Sequence, residues 1–347
     1  MWFALSEDQA LFSEAIRQVL ERHCPPQRVR AAWDHDTPRD CDLWHQLVQS
    51  GVVGLVAPEN LGGLGLSEVD LAPLMEEAGR VALPEPLLEN AAVALPLLND
   101  VGGCEAWIEA VVSGEKILSV GLTNQRFVTD AHLADALILE RDGQLTLMPT
   151  TAVSLSARRS IDHCRRLFSV DWDGNGGTVL ATGEKAQQLS DRAFDRGALM
   201  SAAMLVGIGQ KLIEMAVDYA SVRHQFGQPI GSFQAIKHRL ADSLIKVRYA
   251  RPLVWRAACA LRQHDEQSGL YVSMAKSKAS VAADFAARSA LQVYGAIGYT
   301  LECDLHLWMK RAWSLAEAWG SAEWHQDRVG QTILHTSTHQ SQEGIHG

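Results

Sequence analysis

The sequence has few cysteines, and their spacing excludes the usual cysteine-based sites. Six cysteines are scattered over 347 residues without a Cys-x-x-Cys pair, so neither a zinc site nor a disulfide framework is predicted. The start lacks a basic segment followed by a long apolar run, and no later stretch is expected to reach transmembrane length. We therefore expect a cytoplasmic protein that has no membrane anchor.

The sequence also has fewer basic than acidic residues. The chain has 31 lysines and arginines against 41 aspartates and glutamates, a formal net charge of −10. This balance argues against a general binder of nucleic acid or of anionic membranes. A hydrophobic content of 47% and a charged content of 21% are typical of soluble globular proteins. The length predicts two or three domains.

Residues 5–115 have a helical pattern. Ser6 and Gln9 form a capping-box signature at the start of a first helix, Asp8–Arg22. Further helices are predicted over three segments: Asp42–Ser50, Leu71–Val81 and Glu85–Leu98. Between them, the glycine-rich loop that begins at Pro58 and ends at Gly65 is interpreted as a structural corner. It is not a phosphate loop, because no strand precedes it and no Gly-Lys-Ser/Thr follows.

The hydrophobic pattern changes from a helical to a strand-like period in the middle of the chain and becomes helical again afterwards. Short strands are predicted over five segments: 118–122, 136–139, 145–148, 167–170 and 178–180. Asp142-Gly143 predicts a hairpin between two of them. Four long helices are then predicted: roughly 191–222, 233–265, 271–294 and 303–335. Pro252 is expected to kink or interrupt the second.

The segment from Tyr219 to Asp242 joins two of these helices. It contains Arg223-x-x-Phe226-Gly227, followed by Phe-Gln234 at the start of the next helical pattern. Glycines and a proline interrupt the helical period between them, so we predict a helical hairpin with a structured corner.

This corner resembles the one between the two central helices of the C-terminal domain in the acyl-CoA dehydrogenase family. The resemblance implies that Arg223, Gln225, Phe226 and Gln234 contact the FAD of a neighbouring subunit. A guanidinium suits two phosphate oxygens at once, and a phenyl ring packs against a flat ligand. From the residues alone, an alternative remains: Arg223 sits near a helix C-terminus, where cations are mildly favoured.

A second segment, from Gln292 to Tyr299, is similar to the family's Gln-x-x-Gly-Gly-x-Gly-Tyr motif. The resemblance implies that Gln292, Gly295 and Ala296 approach the adenosine and pyrophosphate of the same partner-bound FAD. Ala296 replaces a glycine and adds one methyl group to this approach. Alternatively, Gly295 only ends a helix.

The family's catalytic base has no counterpart in this sequence. The family uses a glutamate to take the α-proton while a hydride passes to flavin N5. By resemblance that glutamate falls on Trp319, or, in some members, on the central helix at Gly197. Glu317 lies about 200° around a helix from Trp319 and is interpreted as a solvated charge. We assign this chain no catalytic residue and no metal ligand.

The resemblance implies an α+β, mostly α fold. It has an N-terminal helical domain (1–116), a small, truncated β-barrel-like middle domain (117–186), a C-terminal four-helix bundle (187–336) and a flexible tail (337–347). The middle domain is predicted to be shorter than that of the family, because only Thr123-Asn124-Gln125 stands where the family has its flavin-ring motif. The segment from Ser160 to Arg166 resembles the approach to a late strand.

These features resemble the short, baseless subunits of heteromeric α2β2 acyl-CoA dehydrogenases, best known from degradation of steroid side chains. We predict a subunit that completes the FAD site of a catalytic partner, which holds most of the acyl-CoA and passes electrons to an electron-transfer flavoprotein or similar acceptor. Two alternatives stay open. One is a self-sufficient homo-oligomeric flavoenzyme (a dehydrogenase, oxidase or monooxygenase) with an unrecognised base, and the other is a flavin-free structural binding protein.

Overall fold

Helices form both ends of the chain, and short strands occupy its middle. The computed structural model describes residues 4–34 and 41–343, with side chains up to residue 334. The N-terminal helices are α1 (Glu7–His23), α2 (Pro26–Trp33), α3 (Cys41–Gln49), α4 (Glu68–Arg80), α5 (Leu95–Val101) and α6 (Glu105–Val112). A π-helical segment, Leu88–Ala94, leads directly into α5.

The predicted cap of the first helix is confirmed. The Ser6 hydroxyl accepts from the Gln9 backbone N–H at 3.2 Å, and the Gln9 side chain accepts from the Ser6 N–H at 3.0 Å. The glycine-rich loop is a structural corner, as predicted. A Cβ on Gly63 would lie 2.1 Å from the carbonyl oxygen of Ala57, so close backbone packing explains this glycine.

The middle of the chain forms two open sheets and no closed barrel. Its strands are β1 (Leu118–Gly121), β2 (Val128–Thr129), β3 (Ala136–Arg141), β4 (Gln144–Pro149), β5 (Ser154–Arg158), β6 (Leu167–Asp171) and β7 (Thr178–Thr182). One sheet has the order β1-β3-β4-β7 and the other β2-β6-β5. The predicted hairpin is confirmed: Asp142 and Gly143, with φ of 49° and 71°, connect β3 to β4.

Between residues 183 and 343 the chain forms five α-helices. They are α7 (Gly183–Val222), α8 (Gln234–Arg262), α9 (Ser268–Tyr294), α10 (Leu305–Glu317) and α11 (Ala322–Glu343). The single helix predicted over 303–335 is wrong: the chain turns between α10 and α11, where Trp319 and Gly320 have φ of 57° and 91°. The interruption that Pro252 could have caused does not occur, because α8 continues through it. Helix α11 continues past residue 337, where the sequence predicts a frayed tail.

Helix α7 is the core of the fold. It is long and apolar enough to cross a membrane by length and composition, so the expectation that no stretch reaches that length is wrong. However, 72% of its apolar stretch is buried inside the protein. It packs against α4, α8, α9 and α10, and burial between helices accounts for its composition.

Buried ion pairs join the three parts of the chain. Arg165, in the segment that leads into β6, binds Glu89 of the π-helical segment at 2.8 Å. Arg311 of α10 binds the Asp162 carboxylate and also donates to the carbonyl of Leu83. Each charged group therefore has an oppositely charged partner from another part of the chain, which offsets the cost of burying it.

Candidate functional site

The corner predicted between two helices is a tight hairpin at the end of α7. The backbone N–H of Arg223 caps the helix by donating to the carbonyl of Tyr219 at 2.9 Å. Two short strands, β8 (His224–Gln225) and β9 (Gln228–Pro229), then pair antiparallel. Phe226 and Gly227 form the turn with φ of 54° and 80°, as a type I′ turn requires. Gln234 is the first residue of α8.

The side chains of this corner are presented to solvent. Phe226 is 91% exposed, although a bulky residue at positive φ is conformationally unfavourable. Arg223, Gln225 and Gln234 are exposed as well. Within residues 4–34 and 41–334, the Arg223 guanidinium has no hydrogen bond or ion pair. These side chains are therefore available to a molecule outside this chain.

The second motif lies at the end of α9. Gly295 follows the helix with φ 64° and ψ −142°, a conformation open essentially to glycine alone. Its N–H donates to the carbonyl of Leu291, so it is also the helix cap that the alternative interpretation requires. Gln292 and Ala296 are exposed, and nothing lies within 4 Å of a Cβ placed on Gly295. The backbone here is open to close approach.

An aromatic pair brings the two motifs to the same end of the bundle. The rings of Tyr219 and Tyr294 stack with centroids 4.2 Å apart, and the Tyr294 hydroxyl donates to the carbonyl of Met215 at 3.2 Å. Because these tyrosines lie in the last turns of α7 and α9, Arg223 and Gln292 belong to one surface. This pair was not predicted from the sequence, although Tyr219 lies in the last turn of α7 and Tyr294 is the last residue of α9.

The two positions predicted for the catalytic base are in contact. A Cβ on Gly197, in α7, would lie 2.3 Å from Cδ2 and 2.5 Å from Cε2 of Trp319. Trp319 itself is only 3% exposed, and Phe194 packs edge-on against it with ring centroids 6.1 Å apart. An indole therefore fills the space that these two positions share, and neither position carries a carboxylate.

Arginines bind three carboxylates close to this part of α7. Both oxygens of Asp195 accept from Arg328, and Arg196 binds Glu68 at 2.9 Å and Asp100 at 2.6 Å. Burial raises the pKa of Asp195, although the Arg328 guanidinium opposes that effect. Glu317, at the end of α10, is exposed.

Two further buried groups hold the turn that contains Trp319. The Lys276 ammonium is 0% exposed and donates to the carbonyls of Ala316 at 2.8 Å and Gly320 at 3.0 Å. His325 lies 2.9 Å from the carbonyl of Trp319 through Nε2 and 3.0 Å from the Ser273 hydroxyl through Nδ1. A carbonyl only accepts, so the proton is on Nε2 and the serine donates to Nδ1.

The protonation of these two groups follows from their burial. Burial lowers the pKa of His325 to about 3, which keeps its imidazole neutral at physiological pH. Burial also lowers the pKa of Lys276 to about 7, with the Glu317 carboxylate opposing. Neither residue was predicted from the sequence. The available signal was a lysine at position 276 within a run of alanines and serines typical of a buried helix face.

Two family models match the chain on either side of its strands. The model of the acyl-CoA dehydrogenase C-terminal domain matches residues 188–334, and that of the acyl-CoA dehydrogenase N-terminal domain matches residues 6–115. The chain belongs to the acyl-CoA dehydrogenase family. The family predicted from the Arg223 corner and the Gln292 motif is thus confirmed, as is the mostly helical fold class.

One relative and two solved structures are similar to this chain over at least 91% of its length. Acyl-CoA dehydrogenase IpdE2 of Mycolicibacterium smegmatis is 35% identical over 320 residues, which cover 91% of this chain and 96% of the relative. The ChsE4-ChsE5 complex from Mycobacterium tuberculosis contains a similar fold, with a TM-score of 0.85, 23% identity and coverage of 96% and 99%. The Tcur3481-Tcur3483 steroid ACAD G363A variant has a TM-score of 0.85, 22% identity and the same coverage.

An open cleft lies beside Phe194 in this acyl-CoA dehydrogenase chain. It has a volume of about 400 Å³ and is lined by Asn124, Asp191, Phe194, Trp324, Asp327, Arg328 and Gln331. It lies between the segment after β1 and helices α7 and α11. The Asp191 and Asp327 carboxylates outnumber the Arg328 guanidinium, which already binds Asp195. Such a lining disfavours the phosphates of a nucleotide or of coenzyme A.

Proposed function

We propose that this chain is the non-catalytic subunit of a heteromeric FAD-dependent acyl-CoA dehydrogenase and completes the FAD site of a catalytic partner. One contrast carries the proposal. The side chains predicted to contact a partner's cofactor are exposed, whereas the two positions predicted for a base are buried against each other. We expect this combination in a supporting subunit, which contacts a partner's cofactor with exposed side chains and has no space for a base of its own.

The residues at the bundle end are chemically suited to FAD. The Arg223 guanidinium can donate to two oxygens of a pyrophosphate, and the amides of Gln234 and Gln292 can donate beside it. The Phe226 ring can pack against a flat ring system, and the backbone at Gly295 leaves room for close approach. Bound FAD would supply the hydride acceptor of the dehydrogenation, and these residues would hold its adenosine and pyrophosphate end.

The interior of this chain does not fit the same chemistry. Proton abstraction next to a thioester needs a positioned base, and Gly197 and Trp319 cannot act as one. The acidic cleft beside Phe194 does not suit the phosphates of a second cofactor or thioester. The partner would therefore hold the flavin ring, most of the acyl-CoA and the catalytic glutamate.

Exposed apolar side chains around the corner support contact with another chain. Val222 is 73% exposed, and Ile297, Tyr299 and Leu301 after α9 are exposed as well. An apolar surface rimmed by polar groups is typical of an interaction site. The heteromeric names of the similar ChsE4-ChsE5 and Tcur3481-Tcur3483 structures favour an α2β2 assembly with a different, catalytic chain.

The steroid ACAD among the similar structures favours a bulky acyl group, such as a steroid side chain, as the substrate of the complex. We place the complex in the cytoplasm, with an electron-transfer flavoprotein or a similar acceptor receiving its electrons. Flavin content tests the proposal. The chain purified alone should retain little FAD, and the complex with its partner should hold less than one FAD per chain, measured as the flavin-to-protein absorbance ratio after gel filtration. Full occupancy in the isolated chain would overturn the proposal.

A further inference from the structure

Trp319 has a backbone conformation that a bulky side chain rarely adopts. Its φ is 57°, and the next residue, Gly320, has a φ of 91°. A tryptophan in this left-handed region is strained, and such strain persists only where the surrounding contacts enforce it. At Gly320 a Cβ would also lie 2.8 Å from Nε2 of His325, so the turn is tightly packed on both sides.

The contacts that enforce the turn come from two other helices. Lys276, from the middle of α9, donates to the carbonyls before and after Trp319, those of Ala316 and Gly320. His325, in the first turn of α11, donates to the carbonyl of Trp319 itself. A buried ammonium and a buried imidazole are costly unless they are hydrogen-bonded. Lys276 also donates to the Ser280 hydroxyl at 3.3 Å, and His325 accepts from Ser273, but every backbone carbonyl that these two side chains bind belongs to this turn, which links their burial to its shape.

The indole that the turn projects is buried, with Trp319 only 3% exposed. It lies against the α7 backbone at Gly197, where the absence of a side chain provides its seat, and Phe194 contacts it edge-on. The flat surface that Gly197 presents on α7 would suit any planar or apolar group of similar size. The tryptophan of this same chain occupies that surface.

We propose that Trp319 is a plug, which fills an apolar site on Gly197 that would otherwise admit a flat ring or an acyl group, and that Lys276 and His325 hold the plug in place. The inference deepens the proposed function, because it gives the chain a steric barrier to substrate in addition to the missing base. It does not depend on a partner or on flavin.

Indole itself is a probe for the vacated site. Trp319→Ala should bind indole in an equimolar, saturable manner by calorimetry and should be stabilised by it in thermal unfolding, whereas the unmodified chain should not respond. Trp324→Ala is the matched control, because Trp324 also contacts Phe194 but is partly exposed. Trp319→Ala/Gly197→Leu should lose the binding, since the leucine refills the space. A folded Trp319→Ala that does not bind indole would overturn the plug.

Two glycine substitutions test the contact between Gly197 and Trp319 even if Trp319→Ala does not fold. Gly197→Ala places a methyl group where only the indole fits, whereas Gly330→Ala, also within a helix, meets nothing within 4 Å. Both changes gain helix propensity, so a lower stability of Gly197→Ala would report the collision with Trp319. Gly197→Ala should unfold at a lower temperature than Gly330→Ala. Equal midpoints would show that the indole does not need this seat.

The role of Lys276 has its own readout. Lys276→Met keeps the side-chain volume but removes the donors to the two carbonyls, so the turn should relax and the chain should acquire indole binding with Trp319 still present. Lys278→Met, at an exposed position of the same helix, is the control. Loss of stability without indole binding would reduce Lys276 to a structural role. Because no flavin is involved, failure here leaves the flavin-occupancy test of the proposed function unaffected.

Discussion

The ring of Tyr219 stacks on that of Tyr294 with centroids 4.2 Å apart and planes inclined by 13°. This contact joins the end of α7 to the end of α9. It thereby places the Arg223 corner beside the Gln292 segment, although about seventy residues separate them in the sequence. The proposed FAD half-site depends on this join, because neither segment alone presents donors from both helices.

The pair should make a measurable contribution to stability. A double-mutant cycle with Tyr219→Ala and Tyr294→Ala should give a coupling free energy of about 0.5–1.5 kcal/mol for unfolding, as stacked aromatic pairs do. Urea denaturation of the four proteins measures it. Strictly additive losses would mean that the two helix ends are held together by other contacts.

Arg223→Ala should weaken retention of FAD by the complex and leave the fold intact. Loss of a charge-assisted hydrogen bond costs about 1.5–3 kcal/mol, roughly a tenfold to hundredfold loss of affinity. Arg223→Lys should restore only part of the FAD affinity, because an ammonium cannot donate two parallel hydrogen bonds to a pair of phosphate oxygens as a guanidinium does. The flavin dissociation constant of the complex is the measurement. Arg288→Ala, an exposed arginine on α9 paired with Asp284, is the control. Unchanged affinity in both Arg223 variants would return that residue to a helix-end role.

Building a base into this chain should not create a second active site. In Gly197→Glu the new side chain collides with Trp319, and in Trp319→Glu the acidic cleft lined by Asn124 remains. Neither variant should add to anaerobic bleaching of flavin by acyl-CoA. Replacing the partner's glutamate should abolish bleaching altogether.

Glu317→Gln is the counter-test. We expect it to change neither bleaching nor turnover, because Glu317 is exposed at the end of α10. If bleaching survives replacement of the partner's glutamate but disappears in Glu317→Gln, the chain is an enzyme in its own right.

Asp130 should make stability depend on pH. Its burial raises the pKa of this carboxyl to about 7, with the Glu89 carboxylate contributing and Arg165 opposing. The native state therefore holds a proton that the unfolded state releases. The stabilisation is present below about pH 4 and is lost as pH rises through 7, with a slope of up to about 1.4 kcal/mol per pH unit from this group.

Asp130→Asn should remove that component and be more stable than the unmodified chain at pH 8. Denaturation in urea between pH 5 and 8 gives the difference. Asp142→Asn is a close control, because Asp142 has a similar positive φ of 49° but is exposed at a hairpin. If Asp130→Asn and the unmodified chain have parallel pH profiles, the carboxyl is ionised throughout this range.

Several features were predictable because they depend on neighbouring residues. The capping box of Ser6, the hairpin at Asp142-Gly143 and the corner after Arg223 each follow from side chains within a few positions of one another. The motifs also indicated the family. Helices α2 and α6 were missed because eight residues each are too few to establish a helical period. Strands β2 and β5 were missed too, and they exist through pairing with the distant strand β6.

The sequence by itself determined the family, the order of helical and strand segments and the absence of a carboxylate at positions 197 and 319. Only the tertiary structure decided that these two positions touch and that α10 and α11 are separate helices. The reason is that Trp319 has a positive φ, which a tryptophan disfavours on local grounds. Hydrogen bonds from Lys276 of α9 and His325 of α11 hold it in that conformation. Contacts between residues so far apart leave no periodic signal, so they are readable only once the helices are packed together.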